Sequence, residues 1–234
     1  MPPTGNKPPA SARTIKRREP IAAPAGAEST DGQDASRRTH AERRDEAERR
    51  LLAAAVGIVS DRGVEGMTLA EVGEAAGYSR GLPAHYFGRK NDLVAAVASH
   101  IADGFANRLA QTSTQQPGME SLLHSVRAYF NGGLQTPAST RALLIALAEA
   151  LTEPALSDAM SDVTRRSVRR LAAMLRHGIE RGDIRRNIDP HAQAVMILGT
   201  LRTMIAQWTI DPDRIDLKAM RDRYVASLQQ SLAA

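Results

Sequence analysis

The sequence predicts an all-α fold, and three features of its 234 residues lead there. After residue 50, apolar residues recur at three- and four-residue spacing, the period of one helix face. Nowhere do β-branched residues alternate with polar ones as a half-buried strand requires. Polar capping residues precede the apolar stripes, and glycine or proline follows them.

Composition narrows the function classes. Hydrophobic residues make up 42% of the chain, enough to build one large or two modest cores. No apolar run reaches bilayer length, and the basic, proline-bearing first twenty residues lack the apolar middle of a secretion signal. The absence of cysteine excludes disulfides, thiol catalysis and zinc-thiolate sites and fits a reducing cytosol. A net charge of +5 and a pI near 9.9 suit a polyanionic partner.

In chain order, residues 1–36 are rich in Pro, Ala, Gly and charge without apolar periodicity and are expected to be disordered. The basic run Lys16–Arg18 reads first as part of that solvated tail. Residues 37–91 are expected to form a helical head, and 92–234 a larger helical body. RRTHAERRDEAERR, from Arg37, is strongly helix-forming, with Glu42 and Glu46 opposed by Arg49 and Arg50. Leu52, Val56 and Val59 continue that helix as a stripe flanked by Leu51, Ala55 and Ile58, and Gly63 is its left-handed stop. Thr68 and Glu71 stand at capping-box spacing before Leu69, Val72 and Ala76. Gly77 stops this second helix after about two turns, and Ser79 is expected to cap a third beginning at Arg80. Two helices so short must pack steeply on one another. Gly73 is then the position where a larger side chain would push the approaching helix away, a helix-turn-helix pattern.

The body continues in the same way. Asn91 or Asp92 is expected to cap a long helix carrying Leu93, Val97, Ile101, Phe105 and Leu109, broken at Pro117-Gly118. Leu122, Val126, Tyr129 and Phe130 form a stripe closed by Asn131-Gly132-Gly133. Leu143, Leu144, Leu147 and Leu151 form another, ended before Pro154. Val163, Leu171 and Leu175 lead to Gly178 and Gly182. Asp189-Pro190 opens a helix through Val195, Leu198, Leu201, Ile205 and Trp208. Leu217, Met220, Tyr224, Leu228 and Leu232 mark the last helix.

The chemistry concentrates in GYSRGLPAHYFGRK, Gly77 to Lys90, which has three basic residues, no acidic one and the adjacent aromatics Tyr86 and Phe87. A helix-turn-helix presents the N-terminal end of its last helix to the major groove. There Arg80 reaches a guanine edge or a phosphate, Gly81 allows close backbone approach, and Leu82 meets a thymine methyl. His85 and Tyr86 can donate to phosphates. Arg89 and Lys90 lie beside the long helix's N-terminus, whose dipole also favours phosphate. Phe87 belongs to the three-helix core.

The segment Arg49–Leu93, RRLLAAAVGIVSDRGVEGMTLAEVGEAAGYSRGLPAHYFGRKNDL, resembles the N-terminal domain of the TetR (tetracycline-repressor) family of bacterial transcriptional regulators. Basic residues leading an Ala-rich helix, then Gly63, Thr68, Val72, Ala76-Gly77, Ser79, Gly81, Phe87, Lys90 and Leu93, carry the likeness in order. Thr68, Ser79, Arg80, Gly81, Leu82, His85, Tyr86 and Lys90 are the expected DNA-contacting set. RGDIRRNIDPHA and the Trp208–Leu217 stretch resemble loops before the family's last two helices. Two departures stand out. Ala84 occupies the place of the usual tyrosine, and Tyr86 that of a common histidine. The resemblance implies about nine helices, three in the head and about six in the body. It also implies a homodimer through the last two helices, a palindromic DNA operator, and release by a small-molecule effector. It further implies repression, a cytoplasmic and nucleoid-associated place, no membrane association and no cofactor. Phe105, Tyr129, Phe130, Met160, Met174 and Trp208 are the candidate effector contacts, and the apolar stripes of the last two helices either pair with a second copy or cover the body's own core.

Two rival readings remain. An enzyme is disfavoured by the absence of HExxH, GxSxG or a glycine-rich phosphate loop and by scattered histidines, of which His100 and His124 could meet across neighbouring helices. A helical adaptor would keep the stripes yet gain nothing from Arg80, Gly81 and Lys90 clustered at a turn. The Arg165-Arg166 and Arg169-Arg170 pairs read first as a solvated helix face.

Overall fold

The computed structural model describes residues 30–111 and 118–234, with side chains from Thr39 onward. The Lys16–Arg18 run and Pro117 lie outside them. By its contacts the chain divides into Met1–Ala41 and Glu42–Ala234, and the described part of the first unit is the opening of one helix. Among the described residues there are nine helices and no strand, so the all-α expectation holds.

Helix α1 (Thr30–Arg62) begins before Arg37, inside the segment expected to lack structure. It ends at Gly63, whose φ of 74° is the left-handed stop. Its inner face is Leu51, Leu52, Ala55 and Val59, all buried, while Val56 and Ile58 are only partly covered. Helix α2 (Leu69–Ala75) opens on a complete capping box. Glu71 N–H donates to the Thr68 hydroxyl at 3.2 Å, and Thr68 N–H donates to the Glu71 carboxylate at 3.0 Å.

The α2–α3 elbow differs from the expected one. Gly77 N–H donates to Glu74 O at 3.0 Å and Tyr78 N–H to Gly73 O at 2.8 Å, a Schellman closure with Gly77 at φ 78°. Helix α3 (Leu82–Phe87) therefore starts two residues beyond Arg80, with Gly81 and not Ser79 at its N-cap. Ser79 serves the turn through its carbonyl, which accepts from Leu82 N–H at 3.1 Å. That carbonyl sits so close to Gly73 that a Cβ there would lie 2.5 Å from it, and 3.2 Å from Pro83 Cδ. The steep crossing thus requires Gly73, as its spacing predicts.

Helix α4 (Lys90–Gln111) starts at the end of the head, and the Asp92 carboxylate reaches back to accept from Arg89 N–H at 3.1 Å. Asp92 is thus a third-position acceptor and not the N-cap. Leu93, Val94, Val97 and Ala98 seat α4 in the same core as α1 and α2, and Ala142, Ala146, Leu156 and Met160 of the body join that cluster. One continuous hydrophobic contact therefore carries α4 from head to body.

Helix α5 (Met119–Gln135) runs straight through Asn131-Gly132-Gly133, the expected stop. Gly133 is there for packing. A Cβ on it would lie 2.7 Å from Ile205 Cδ1 of helix α8. In α6 (Pro137–Glu149) the buried residues are Ala142 and Ala146; the leucine stripe expected to be inward is only partly covered, and Leu151 beyond its end is 86% exposed. Small residues face the core here because α4 and α7 approach closely. Helix α7 (Pro154–Arg181) ends at Gly182, and Ile184 folds back onto Gly178 and is fully buried. Helix α8 (Pro190–Ile210) has Asp189 as its N-cap, accepting from His191 N–H at 2.8 Å, with Pro190 in the first turn as expected. Helix α9 (Leu217–Leu232) packs on α5 and α8.

Most of the stripe residues of the last two helices face the body's own core, and Val195 does not. Leu198, Leu201, Ile205, Leu217 and Leu228 are buried within it, and Tyr224 packs against it. The outward side of α8 is different: Val195, Met196 and Ile210 are exposed, Met220 of α9 is partly so, and nothing lies within 4 Å of a Cβ built on Gly199.

Candidate functional site

The elbow and α3 carry six of the eight expected DNA-contacting residues, Ser79 to Tyr86. Ser79, Arg80, Gly81 and His85 are exposed there, and Leu82 is half-buried against the head core. A Cβ on Gly81 would meet nothing within 4 Å, so the backbone at the N-terminal end of α3 is open to close approach. The departures follow from geometry. The Tyr86 ring packs against the head core, its hydroxyl lies 3.5 Å from the Arg44 carbonyl oxygen, and the Arg44 guanidinium sits 5.8 Å over the ring. Tyr86 thus ties α3 to α1, leaving its neighbour His85 outward. Phe87 is partly buried in the three-helix core, as predicted.

The head's cations have soft protein partners. Arg80 pairs with Glu74 while keeping 74% of its side chain exposed. Lys90 Nζ donates to the Glu65 carbonyl at 3.2 Å, bracing the loop between α1 and α2. Arg89 lies 3.4 Å from Asp92. Thr68 spends its hydroxyl on Glu71, donating to the carboxylate at 2.9 Å. The Thr68 hydroxyl, and then Arg62, hold the Glu71 carboxyl below its ordinary pKa of 4.5.

Of the six candidate effector contacts, two line an interior cavity. Phe105 and Tyr129 meet edge to face at 5.6 Å between centroids and border a cavity of about 60 Å³ among α4, α5, α6, α7 and α8. They also border a second, of about 40 Å³, with Leu109, Arg170 and Leu171. Phe130 is fully buried against Tyr224, at 6.3 Å, and Met174 and Trp208 pack on the same body core; none of the three borders either cavity. Met160 belongs to the core between head and body.

Sequence reasoning missed Arg202, the one charged residue in the run Ala194–Trp208. From α8 it borders both the cavity of about 60 Å³ and an open groove of about 620 Å³ among α6, α7 and α8, and its terminal nitrogen donates to the Thr164 hydroxyl at 3.1 Å. Burial pushes its pKa down against the stabilising Tyr129 oxygen, and burial likewise raises Tyr129. A lone charge in an apolar helix was the available signal. The second omission is Arg166, read as solvated. It donates to Asp103 at 2.8 Å and to Ser99 at 2.9 Å, so Arg166 ties α7 to α4, while Arg165 stays exposed on α7. Among the described residues no group of three or more His, Asp or Glu could hold a metal ion, and no helix is long and apolar enough to cross a membrane.

The comparisons agree with this geometry. Residues 51–97 match the family described as bacterial regulatory proteins, tetR family, and residues 118–233 match the C-terminal domain of BetI-type transcriptional repressors. The HTH-type transcriptional regulator BetI of Cronobacter sakazakii is 30% identical over 158 residues, 64% of this chain and 75% of that protein. The chain belongs to the TetR family of bacterial transcriptional regulators. The regulator CymR of Pseudomonas putida is 34% identical over 98 residues, 40% of this chain; the match spans about half, 48%, of CymR. A TetR-family regulator from Rhodococcus sp. shares the fold with a TM-score of 0.74 at 21% identity, over 81% of this chain and all of that one. This TetR-family chain is accordingly a helix-turn-helix transcription regulator and not an enzyme.

Proposed function

We propose that this TetR-family regulator is a repressor that binds a palindromic operator as a homodimer and releases it when a small molecule enters the body cavity. The observation that carries the DNA-reading half is the surface at the start of α3: Arg80, the open backbone of Gly81, and His85 lie together and exposed, with Arg89 and Lys90 at the N-terminus of α4. A two-fold dimer would set two such ends about one DNA turn apart, and a palindrome follows.

Dimerisation is supported by the outward face of α8, where Val195, Met196 and Ile210 are exposed on the same side as an uncrowded Gly199. A glycine with no intramolecular neighbour fits a position where a second helix approaches closely. Release is supported by α4. Its first turns pack in the head core, and Phe105, further along, borders both cavities. A ligand that displaces Phe105 therefore pushes on the helix that positions the head. Such a regulator works in the cytoplasm, on the nucleoid.

The test is selection of genomic fragments by the purified protein at near-physiological salt, with Arg80→Ala alongside. Recovery of one palindrome, weakened by roughly 1–3 kcal/mol and relaxed in sequence by Arg80→Ala, is the expected outcome. Recovery of only salt-sensitive, sequence-independent DNA would favour the reading as a helical adaptor.

A further inference from the structure

We propose that the effector is an amphipathic anion, a small carboxylate with an apolar body, whose charged group pairs with Arg202. This rests on the reading of the body cavity as the effector site and adds the ligand's chemical class.

The polar and apolar linings divide clearly. Ile101, Phe105, Leu143, Val163 and Leu198 supply apolar wall, whereas Arg202, Tyr129, Thr140 and Ser167 supply hydrogen-bonding groups. No aspartate or glutamate borders either cavity, although three arginines do, counting Arg108 and Arg170. Arg166 and Arg170, by contrast, have carboxylates: Arg166 lies 2.8 Å from Asp103 and 3.0 Å from Asp162, and Arg170 lies 3.9 Å from Asp103. Arg202 has no carboxylate within ion-pair distance among the described residues, and its Nε is buried without a hydrogen-bond partner. Only a hydroxyl, that of Thr164, and the phenol of Tyr129 face it. A half-buried guanidinium whose buried Nε is left unpaired is costly, and an incoming carboxylate completes it with charge-assisted, fork-shaped hydrogen bonds. A cationic ligand would meet the same charge as repulsion.

Size sets the rest. Even together, the cavities of about 60 and 40 Å³ fall short of the roughly 150 Å³ that admits a benzene ring. Phe105, Tyr129, Ser167 and Leu198 border both and so form the partition between them. An apolar body of ring or short-chain size therefore enters these two cavities by moving that partition, whereas the open groove on the other side of Arg202 offers it no enclosing wall. Charge capture by Arg202 and displacement of Phe105 become one event.

The experiment is thermal unfolding and titration calorimetry on the full chain with benzoate and hexanoate, each against its uncharged amide, and with acetate. The expected result is a rise in melting temperature with concentration for the two acids, roughly tenfold or more weaker binding by benzamide and hexanamide, and little response to acetate. Arg202→Met should abolish the preference for acid over amide while the ligand-free protein melts no lower than wild type, because an uncompensated buried charge is gone. Arg202→Lys should retain part of the preference. Amides that bind as tightly as acids would overturn the anionic class and leave the effector cavity standing. An acid preference unchanged in Arg202→Met or, should that variant fold poorly, equally strong in Arg202→Gln would also overturn it. Failure of every probe to bind would overturn this inference and the cavity reading together, while operator selection by the same preparation judges the DNA-reading half separately.

Discussion

The head and the body treat their cations in opposite ways. Arg80, Arg89 and Lys90 stand at the surface of the head, each with one partner a few residues away or across a loop. Such pairs contribute little to stability, because water screens them and the long side chains lose entropy in forming them. On the proposed reading they are exchanged for phosphates. In the body, Arg202 is half-buried, its Nε is shut off from water, and it is given hydroxyls instead of a carboxylate. A surface cation with a weak local partner is poised for a polymer of charge; a buried one with too few partners is poised for a single charge. The difference lies in desolvation, and it predicts which variants alter DNA affinity and which alter folding.

The largest effect is expected where both regions depend on assembly. Gly199→Arg puts a long charged side chain on the exposed face of α8, where no described residue lies within 4 Å of the Cβ position. The folded monomer should keep its melting behaviour while sedimentation shows loss of the dimer, and operator affinity should fall by about a hundredfold or more as two linked half-sites become separate ones. An unchanged sedimentation coefficient would place the dimer contact elsewhere.

Next comes Arg80→Ala, expected to weaken operator binding about 10- to 100-fold while leaving stability within about 0.5 kcal/mol, since its Glu74 pair is exposed. A large loss of stability would break the contrast with Arg202 by making Arg80 structural. Gly73→Ala should behave in the opposite manner. Its Cβ would press on the Ser79 carbonyl, a backbone atom that can yield only by opening the elbow. Overpacking of about 1–3 kcal/mol, set against roughly 1 kcal/mol gained in helix propensity, leaves a net loss of stability by chemical denaturation. A more stable variant would mean that the elbow is looser than this contact implies.

These cases also explain what could be read from the residues alone. Gly63, the Thr68–Glu71 box, Gly73, Gly77 and Asp189-Pro190 act through neighbours within a few positions, and their roles followed from spacing. Ser79 misled because a hydroxyl before a helical stretch resembles a cap, whereas the Schellman closure at Gly77 commits the next residues to a turn and delays the helix to Leu82. Gly132-Gly133 misled for a longer-range reason: only the approach of Ile205, far along the chain, explains a glycine within a continuing helix. The cavity was the least legible part. Phe105 and Tyr129 were among the residues singled out by size, but Phe130, Met174 and Trp208 are equally large and lie against core. Size marks burial, and burial does not say which side chains leave a gap between them. Arg202 was legible in principle, as a lone charge among apolar neighbours whose burial would need a partner.

The smallest expected effect concerns the capping box that supports the head. Thr68→Ala removes the N-cap acceptor of α2 and should cost about 1 kcal/mol. It should also change how stability responds to acid. The Glu71 carboxyl is held below its ordinary 4.5 chiefly by the Thr68 hydroxyl and next by Arg62, so its contribution is fully present above that value. As pH falls through the lower, folded-state value the carboxylate gains its proton, and the contribution is lost. Urea unfolding between neutral pH and about pH 3 should therefore show a smaller acid-induced loss in Thr68→Ala than in the wild type, because the variant has already lost the hydroxyl that does most to hold the carboxyl ionised. Parallel curves for the two proteins would assign the lowered pKa to Arg62 instead. The box would then be held by an exposed ion pair of the kind that Arg80 makes with Glu74, and 0.5 M salt should flatten both curves alike.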